Sequence, residues 1–473
     1  MEVIQAWGIL FILNPYNMEK ENETQAFEIV HPNAAGIDVS SEDYFIAVPV
    51  DRDEQPVRRF GCFTESLFQI VHWLKKCRIT SVAMESTGVY WVQLFMVLQD
   101  HGFEVFLVNA QQIKNVSGKK SDVCDCQWIQ QLHTCGLLAN SYQPDTITKE
   151  LRTYVRQRKK LTESANKEVL RMQKSMTLMN IKLDRVITDI MGKSGRNIIQ
   201  AILSGERDPE ALVRLTDRRL KASKEDLIKS LEADWRKEHL FTLRQSFEIH
   251  EFCQAKIIEC DKQIEQVLAI YPRAEILNEN SESLNPFKKK QKQKTDFTFN
   301  PEKQLKGILG IDVTQIPGFS SVTAITILSE TGKDLQDSFP SKKQFLSWLN
   351  LVPNNRKTAG KVISSKVKKK KNKTGQSFRL AANALKNSKC PFGDYFRKVK
   401  SRDGHGRAII ATANKLAGIY YTLVTTKQEF NMAIYMQSYK INVEKKLVRL
   451  NKKIIDLQNQ LLYIPDKHGV LTT

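Results

Sequence analysis

NAAGIDVS, residues 33–40, is a run of small and branched apolar residues with one carboxylate, Asp38, set inside it. The run reads as a short buried strand, and a carboxylate in such a strand is costly unless something neutralises it. Beyond it, DYFIAVPV (43–50) alternates like a second strand and PVRRFGCF (56–63) like a third. Helical SLFQIVHWLKKC (66–77) follows, then strand SVAMES (81–86) and helix VYWVQLFMVLQDHG (89–102). Strand FEVFLVN (103–109) and helix DVCDCQWIQQLHTCG (122–136) complete the series. Three strands followed by alternating helix and strand predict an α/β domain over residues 33–145.

Its acids are unevenly placed. Glu85 ends the apolar strand SVAMES, and Asp122 and Asp125 stand three apart on one helix face. By themselves Asp122 and Asp125 read as solvated helix charges; Asp38 inside its apolar strand tips the balance towards a shared site. Converging carboxylates repel, and Mg²⁺, which prefers hard oxygen donors, relieves that repulsion. Two such ions can activate a nucleophile and stabilise a leaving oxygen in phosphoryl transfer. Between the helical acids lie Cys124 and Cys126, with His133 and Cys135 beyond. Structural zinc favours a Cys-x(2–4)-Cys knuckle on a turn, so these cysteines read as small packing residues.

The 473-residue chain as a whole carries a net charge of +20, which points to a polyanionic partner, nucleic acid above all. Eight cysteines and no evident secretory signal predict a reducing, cytoplasmic setting without disulfides. AWGILFIL (Ala6–Leu13) is too short to span a bilayer and reads as a peripheral strand or an extension, residues 1–32. From Leu151 to Met191 apolar residues recur in steps of three or four, from Leu161 and Ala165 to Val186 and Ile190. A second seam runs from Leu240 to Val267, and the two predict a long antiparallel coiled-coil hairpin within residues 146–275. Residues 276–303 are lysine-rich and polar, a linker or mobile loop. A mostly helical region, 304–425, precedes a C-terminal helix, 426–473. There Val443, Leu447, Leu450, Ile454, Leu457, Leu461 and Ile464 alternate in steps of four and three up to Pro465, a stripe that suits packing on another coil.

GIDVS, AMESTGVYW and GKKSDVCDCQWIQQLHTCGLL, in that order, resemble the RuvC-like, ribonuclease-H-fold domain of DEDD transposases. The likeness is closest to insertion-sequence family 110 (the 110/1111 group), through STGVYW and the Lys-x-Asp-x-x-Asp-Cys-x-Trp context. IPGFSSVTAITILSETG (316–332), FLSWLNLVPNNRKTAGKVISSKV, FRLAANALKNS and AIIATANKLAGIYYTLV resemble the family's C-terminal transposase domain. The first of these also resembles a helix-hairpin-helix, with Ser320 where a second loop glycine is usual. The resemblance covers about residues 33–190 and 304–425; the middle matches only as a helical insertion. It implies that Asp38, Glu85, Asp122 and Asp125 are catalytic and bind Mg²⁺. It also implies a serine nucleophile in a Ser-Gly-Gly-Lys-like stretch after Leu-Val-Pro. Here that stretch is Lys357-Thr358-Ala359-Gly360-Lys361, which puts Thr358 at the serine's position, with Ser364 and Ser365 as nearby alternatives. Threonine can attack as an alkoxide, though its alcohol is more hindered. The rival expectation is that this copy has lost strand exchange.

Arg356, Lys357, Lys361, Lys366, Lys368, Lys369, Lys370, Lys371 and Lys373 form a run without an acid beside that position, which favours phosphate contact. Arg152, Arg156, Lys159 and Lys160 offer a second basic face. The family resemblance implies double-stranded donor and target DNA, a structured guide RNA called a bridge RNA, and a dimer or dimer of dimers in a prokaryotic, nucleoid-associated setting. Three other classes compete. A RuvC-like structure-specific endonuclease needs the four acids and no hydroxyl nucleophile. An inactivated nucleic-acid-binding relative needs neither. A tyrosine recombinase needs an Arg/His/Tyr set, and no such segment accompanies Tyr90, Tyr420 or Tyr421.

Overall fold

The structure is a computed structural model that describes residues 28–109, 122–217, 220, 222–274, 296–368 and 372–462. The chain divides into two compact units between Gln143 and Pro144. The apolar run at Ala6–Leu13, most of the basic linker, and Ile464 and Pro465 lie outside the described residues.

In the first unit, β1 (Ala34–Val39), β2 (Asp43–Ala47), β3 (Val57–Gly61), β4 (Ser81–Glu85) and β5 (Glu104–Val108) form one sheet ordered β3-β2-β1-β4-β5. The first three strands are antiparallel neighbours; β4 and β5 continue parallel to β1. Short turns can join the antiparallel strands, whereas the parallel ones need crossovers, supplied here by α1 (Thr64–Lys76) and α2 (Trp91–Asp100). Strand side chains alternate between faces. Ala35, Ile37 and Val39 of β1, with Val82 and Met84 of β4, enter one core with Ile70, Leu74, Leu94 and Leu98 of the two helices. Ala83 and Val108 enter a second core with Ile129 of α3 (Asp122–Thr134) and with Leu138. Gly36, on that second face, lets α3 lie directly on β1: a Cβ there would run into the backbone of Cys126 and Gln130.

In the second unit, α4 (Thr146–Leu178) and α5 (Lys237–Ile270) run antiparallel. Thr148 hydrogen-bonds Tyr271 at one end, Arg158 pairs with Asp261 further in, and Ser175 meets Thr242 at 2.9 Å near the other end. Short helices between residues 183 and 230 pack on that far end with Met172, Met176, Leu243 and Phe247. The apolar seam expected to continue to Ile190 as one helix stops at Leu178. Asn180 adopts φ 64 and ends it, as asparagine can at a helix C-terminus.

The remaining helices include α6 (Ser321–Thr331), α7 (Lys373–Ala384), α8 (Pro391–Asp403), α9 (His405–Thr426) and α10 (Met432–Leu462). Phe319, Phe345, Phe378 and Tyr420 form the aromatic centre of this region. Strands β6 (Arg356–Thr358) and β7 (Lys361–Ser364) interrupt the helices as a two-stranded hairpin. Segments separate in the sequence are tied together here. Arg158 donates to the carbonyl of Asp296 and lies 4.3 Å over the Phe297 ring. Arg152 and Arg156 of α4 both pair with Glu330 of α6. Among the described residues no helix is long and apolar enough to cross a membrane.

Candidate carboxylate site and basic surface

Asp38 lies one residue from the end of β1, opposite Phe45 of β2. On the other side of β1, Ile37 is in register with Met84 of β4, so the next step along both strands sets Asp38 beside Glu85. Ile37 and Met84 point into the first core. By alternation Asp38 and Glu85 take the opposite face, the one α3 covers. Both are half-buried, and the Thr87 hydroxyl donates to Glu85 Oε1 at 3.0 Å. Asp125, also half-buried, is in the first turn of α3.

Cys126 follows Asp125 on α3, and its backbone carbonyl lies against Gly36 of β1. Its thiol is wholly buried and is pushed up to about 12, first by burial, next by the Asp38 carboxylate and, less, by that of Asp125. Two carboxylates from different elements thus act on one sulfur. A thiol held protonated at neutral pH packs as a small apolar group. His133 is buried, and its Nε2 meets Ser81 Oγ at 2.8 Å.

The donors at hand for a metal are carboxylate oxygens, the set that suits Mg²⁺. Among the described residues no three His, Cys, Asp or Glu groups stand close enough to hold an ion. The fourth expected acid, Asp122, opens α3, but its side chain lies outside the described residues.

Thr358 sits in the second unit, at the tip of the β6–β7 hairpin, in register with Lys361. The two residues between them, Ala359 (φ 46) and Gly360 (φ 77), are both left-handed, as tight two-residue hairpins require. Lys357, Thr358 and Lys361 are exposed. Ser364 lies at the hairpin's open end opposite Arg356, and its Oγ accepts from the Lys366 amide; Ser365 follows it. Lys366 and Lys368 are exposed, whereas Lys369, Lys370 and Lys371 lie outside the described residues. The helix-hairpin-helix resemblance meets a loop turned inward: Ile316 and Pro317 are buried, and Gly318 packs against the carbonyl of Ala381.

The second basic face divides by role. Arg156 pairs with Glu330 at 2.7 Å, and Arg152 donates to the backbone carbonyls of Ser329 and Glu330, at the end of α6. These two are internal struts, whereas Lys159 and Lys160 are exposed. Lys373, which opens α7, is drawn below the usual lysine range by burial, then by Arg156, with Lys159 and Lys160 adding to it against Glu330. The long helix and the end of the lysine run therefore share one positive neighbourhood. In the sequence these two runs are separate candidates, because Glu330, 174 residues beyond Arg156, leaves no local signal.

Two comparisons with known families bear on these residues. A DEDD transposase model for IS110 elements, described as a transposase, matches residues 35–181. A second model, described as a transposase of the IS116/IS110/IS902 family, matches residues 312–392. The first stretch contains Asp38, Glu85, Asp122 and Asp125, and the second contains Thr358 and the lysine run. No curated protein matches the chain.

Proposed function

The chain belongs to the IS110 family of transposases, and on that premise we propose that it is a metal-dependent DNA recombinase whose acids are Asp38, Glu85, Asp122 and Asp125 and whose nucleophile is Thr358. The observation that carries the reading is the placing of Asp38 and Glu85 side by side on the sheet face that α3, with Asp125 in its first turn, covers. The sheet order β3-β2-β1-β4-β5, with an acid on the central strand, supports a ribonuclease-H-like, RuvC-like first unit.

Asp38, Glu85, Asp122 and Asp125 would hold Mg²⁺, one ion or two, which when bound supplies positive charge against the phosphate oxygens. Every other part falls to this chain. Glu85 is kept oriented by Thr87, and Asp38 is fixed by its strand. Thr358 Oγ attacks a DNA phosphorus: the threonine–phosphate ester forms as the hydroxyl gives up its proton to water, the bond to the sugar oxygen breaks, and that oxygen takes up a proton from water. The exposed hairpin tip, flanked by Lys357 and Lys361, leaves the hydroxyl open to a phosphate and gives the ester counter-charge. Arg356, Lys366, Lys368, Lys369, Lys370, Lys371 and Lys373, joined by Lys159 and Lys160, would bind the sugar–phosphate backbones of donor and target DNA and of a structured guide RNA. A dimer or dimer of dimers is the assembly that goes with this reading.

In vitro recombination with the RNA encoded in the element's flank tests it. Asp38→Asn and Asp125→Asn should each lower the rate at least about 100-fold while leaving DNA binding intact, since only charge on the reacting phosphate is lost. Full activity in either variant rejects the four-acid assignment.

A further inference from the structure

We propose, resting on the recombinase reading above, that Ile363 is an apolar wedge that enters the base stack of the DNA beside the phosphate Thr358 attacks and opens that step for strand exchange. Ile363 and Val362 stand on β7 at 69% and 53% exposure, two branched apolar side chains that the hairpin leaves in solvent. Single apolar residues on a surface are ordinary. The surroundings set these apart. Lys357, Lys361, Lys366 and Lys368 are exposed around them, and no Asp or Glu occurs in the sequence between Asp337 and Asp394. A surface of that charge draws a polyanion, whereas a protein partner would need matching acids. On a nucleic acid the phosphates meet the lysines, and an isoleucine finds apolar contact only at the base faces and edges.

The strand register picks Ile363 over Val362. Thr358 is opposite Lys361 and Lys357 is opposite Val362, so these two pairs lie on opposite faces of the ribbon. Ile363, two residues beyond Lys361, returns to the face of Thr358. The register also shifts at this point: Lys357 pairs with Val362 and Arg356 already with Ser364, which leaves Ile363 without a partner across the ribbon. An extra residue of this kind bends its strand and re-aims its side chain. Two strand steps separate Lys361 from Ile363, roughly 7 Å, and the diagonal from Thr358 to Ile363 is about 7–8 Å. That spans about two base steps of stacked DNA at roughly 3.4 Å each. A two-stranded ribbon fits a DNA groove, and a branched apolar side chain entering from it can part neighbouring base pairs. Strand exchange requires such an opening, because bases at the junction must leave one partner and pair with another. Lys357 and Lys361 hold the backbone while Ile363 parts the bases beside it.

The test uses the full chain with the flank-encoded RNA and donor duplexes carrying aminopurine, a fluorescent adenine analogue that stacking quenches, at successive positions across the junction. Thr358→Ala protein is used, so that the signal reports unstacking without bond formation. Binding should raise the emission at least about threefold at one or two neighbouring positions. Adding Ile363→Ser should remove most of that rise while changing duplex affinity less than about threefold, because the phosphate contacts remain. Ile363→Leu should keep the rise, and Val362→Ser, on the other face, should leave it unchanged. With Thr358 present, Ile363→Ser should slow recombination at least about tenfold. Ile363 is mostly exposed, so its variants should melt at the parent's temperature. Three results overturn the proposal. One is no rise at any position. Another is a rise that survives Ile363→Ser, as expected if Ile363 packs on protein instead. The last is an equal loss in Val362→Ser, which means a general apolar effect. Failure of the recombinase reading shows separately, as recombination by Thr358→Ala, and leaves the fluorescence as it is.

Discussion

Asp38 stood out in the sequence as a carboxylate among Ala35, Gly36, Ile37 and Val39, and the fold puts it on the face that α3 covers. Arg152 and Arg156 were not legible: their partner Glu330 is far along the chain, so a basic helix face that looked like a phosphate surface is half internal. Ala359 belongs to the same scale. An L-residue with a side chain at φ 46 is strained by roughly 1 kcal/mol or somewhat more. Ala359→Gly should therefore slow amide exchange in the hairpin by about that margin; unchanged exchange would mean that Ala359 bears no strain. His133 gives a pH prediction. Burial first, and the stacked His31 second, push its pKa down to about 4, against an ordinary imidazole value near 6.5. Since the folded value is lowered, the unfolded chain binds the proton first. Stability is then complete above about pH 6.5 and falls progressively as pH drops towards 4, by up to roughly 3 kcal/mol. Urea melts at pH 7.5, 5.5 and 4 should show this loss, and His133→Gln should flatten that part of the slope.

At the scale of elements, the five strands and three helices among the described residues of the first unit followed from alternation and helical spacing, which act over a few residues and need no distant partner. The β6–β7 hairpin escaped that reading. It is only three and four residues a side, exposed and lysine-rich, and its shape is set by a two-residue turn rather than by an apolar pattern. The end of α4 at Leu178 escaped too, because the apolar spacing runs on through Leu183 and Val186 while the backbone turns at Asn180. The close seat of α3 on β1 carries its own prediction. Gly36→Ala would place a methyl group against the backbone of Cys126 and Gln130, two groups that cannot rotate away. It should cost about 2 kcal/mol or more of stability and, by lifting Asp125 away from Asp38, abolish recombination even at temperatures where the variant is folded. A variant as active and stable as the parent would show that this contact does not position the acids.

Across the whole molecule, the two family-matched stretches fall one in each part of the proposed chemistry: acids in the first, hydroxyl and lysines in the second. The helices outside the matched stretches, from residue 182 to 311 and after 392, supply packing for the second unit and, in α10, an apolar stripe exposed to solvent. A net charge of +20 agrees with a polyanionic partner but names none, and only the residues that react can distinguish a recombinase from a nuclease or a silent binder. The central claim is that Thr358 bonds to DNA with the help of the carboxylates on β1, β4 and α3. Trapping of a labelled DNA on the denatured protein, followed by mass spectrometry of the adduct peptide, tests it most directly. The account predicts an adduct on the peptide containing Thr358, retained by Thr358→Ser, absent from Thr358→Ala and strongly reduced in Asp38→Asn. An adduct on Ser364 or Ser365, or full recombination by Thr358→Ala, would contradict it.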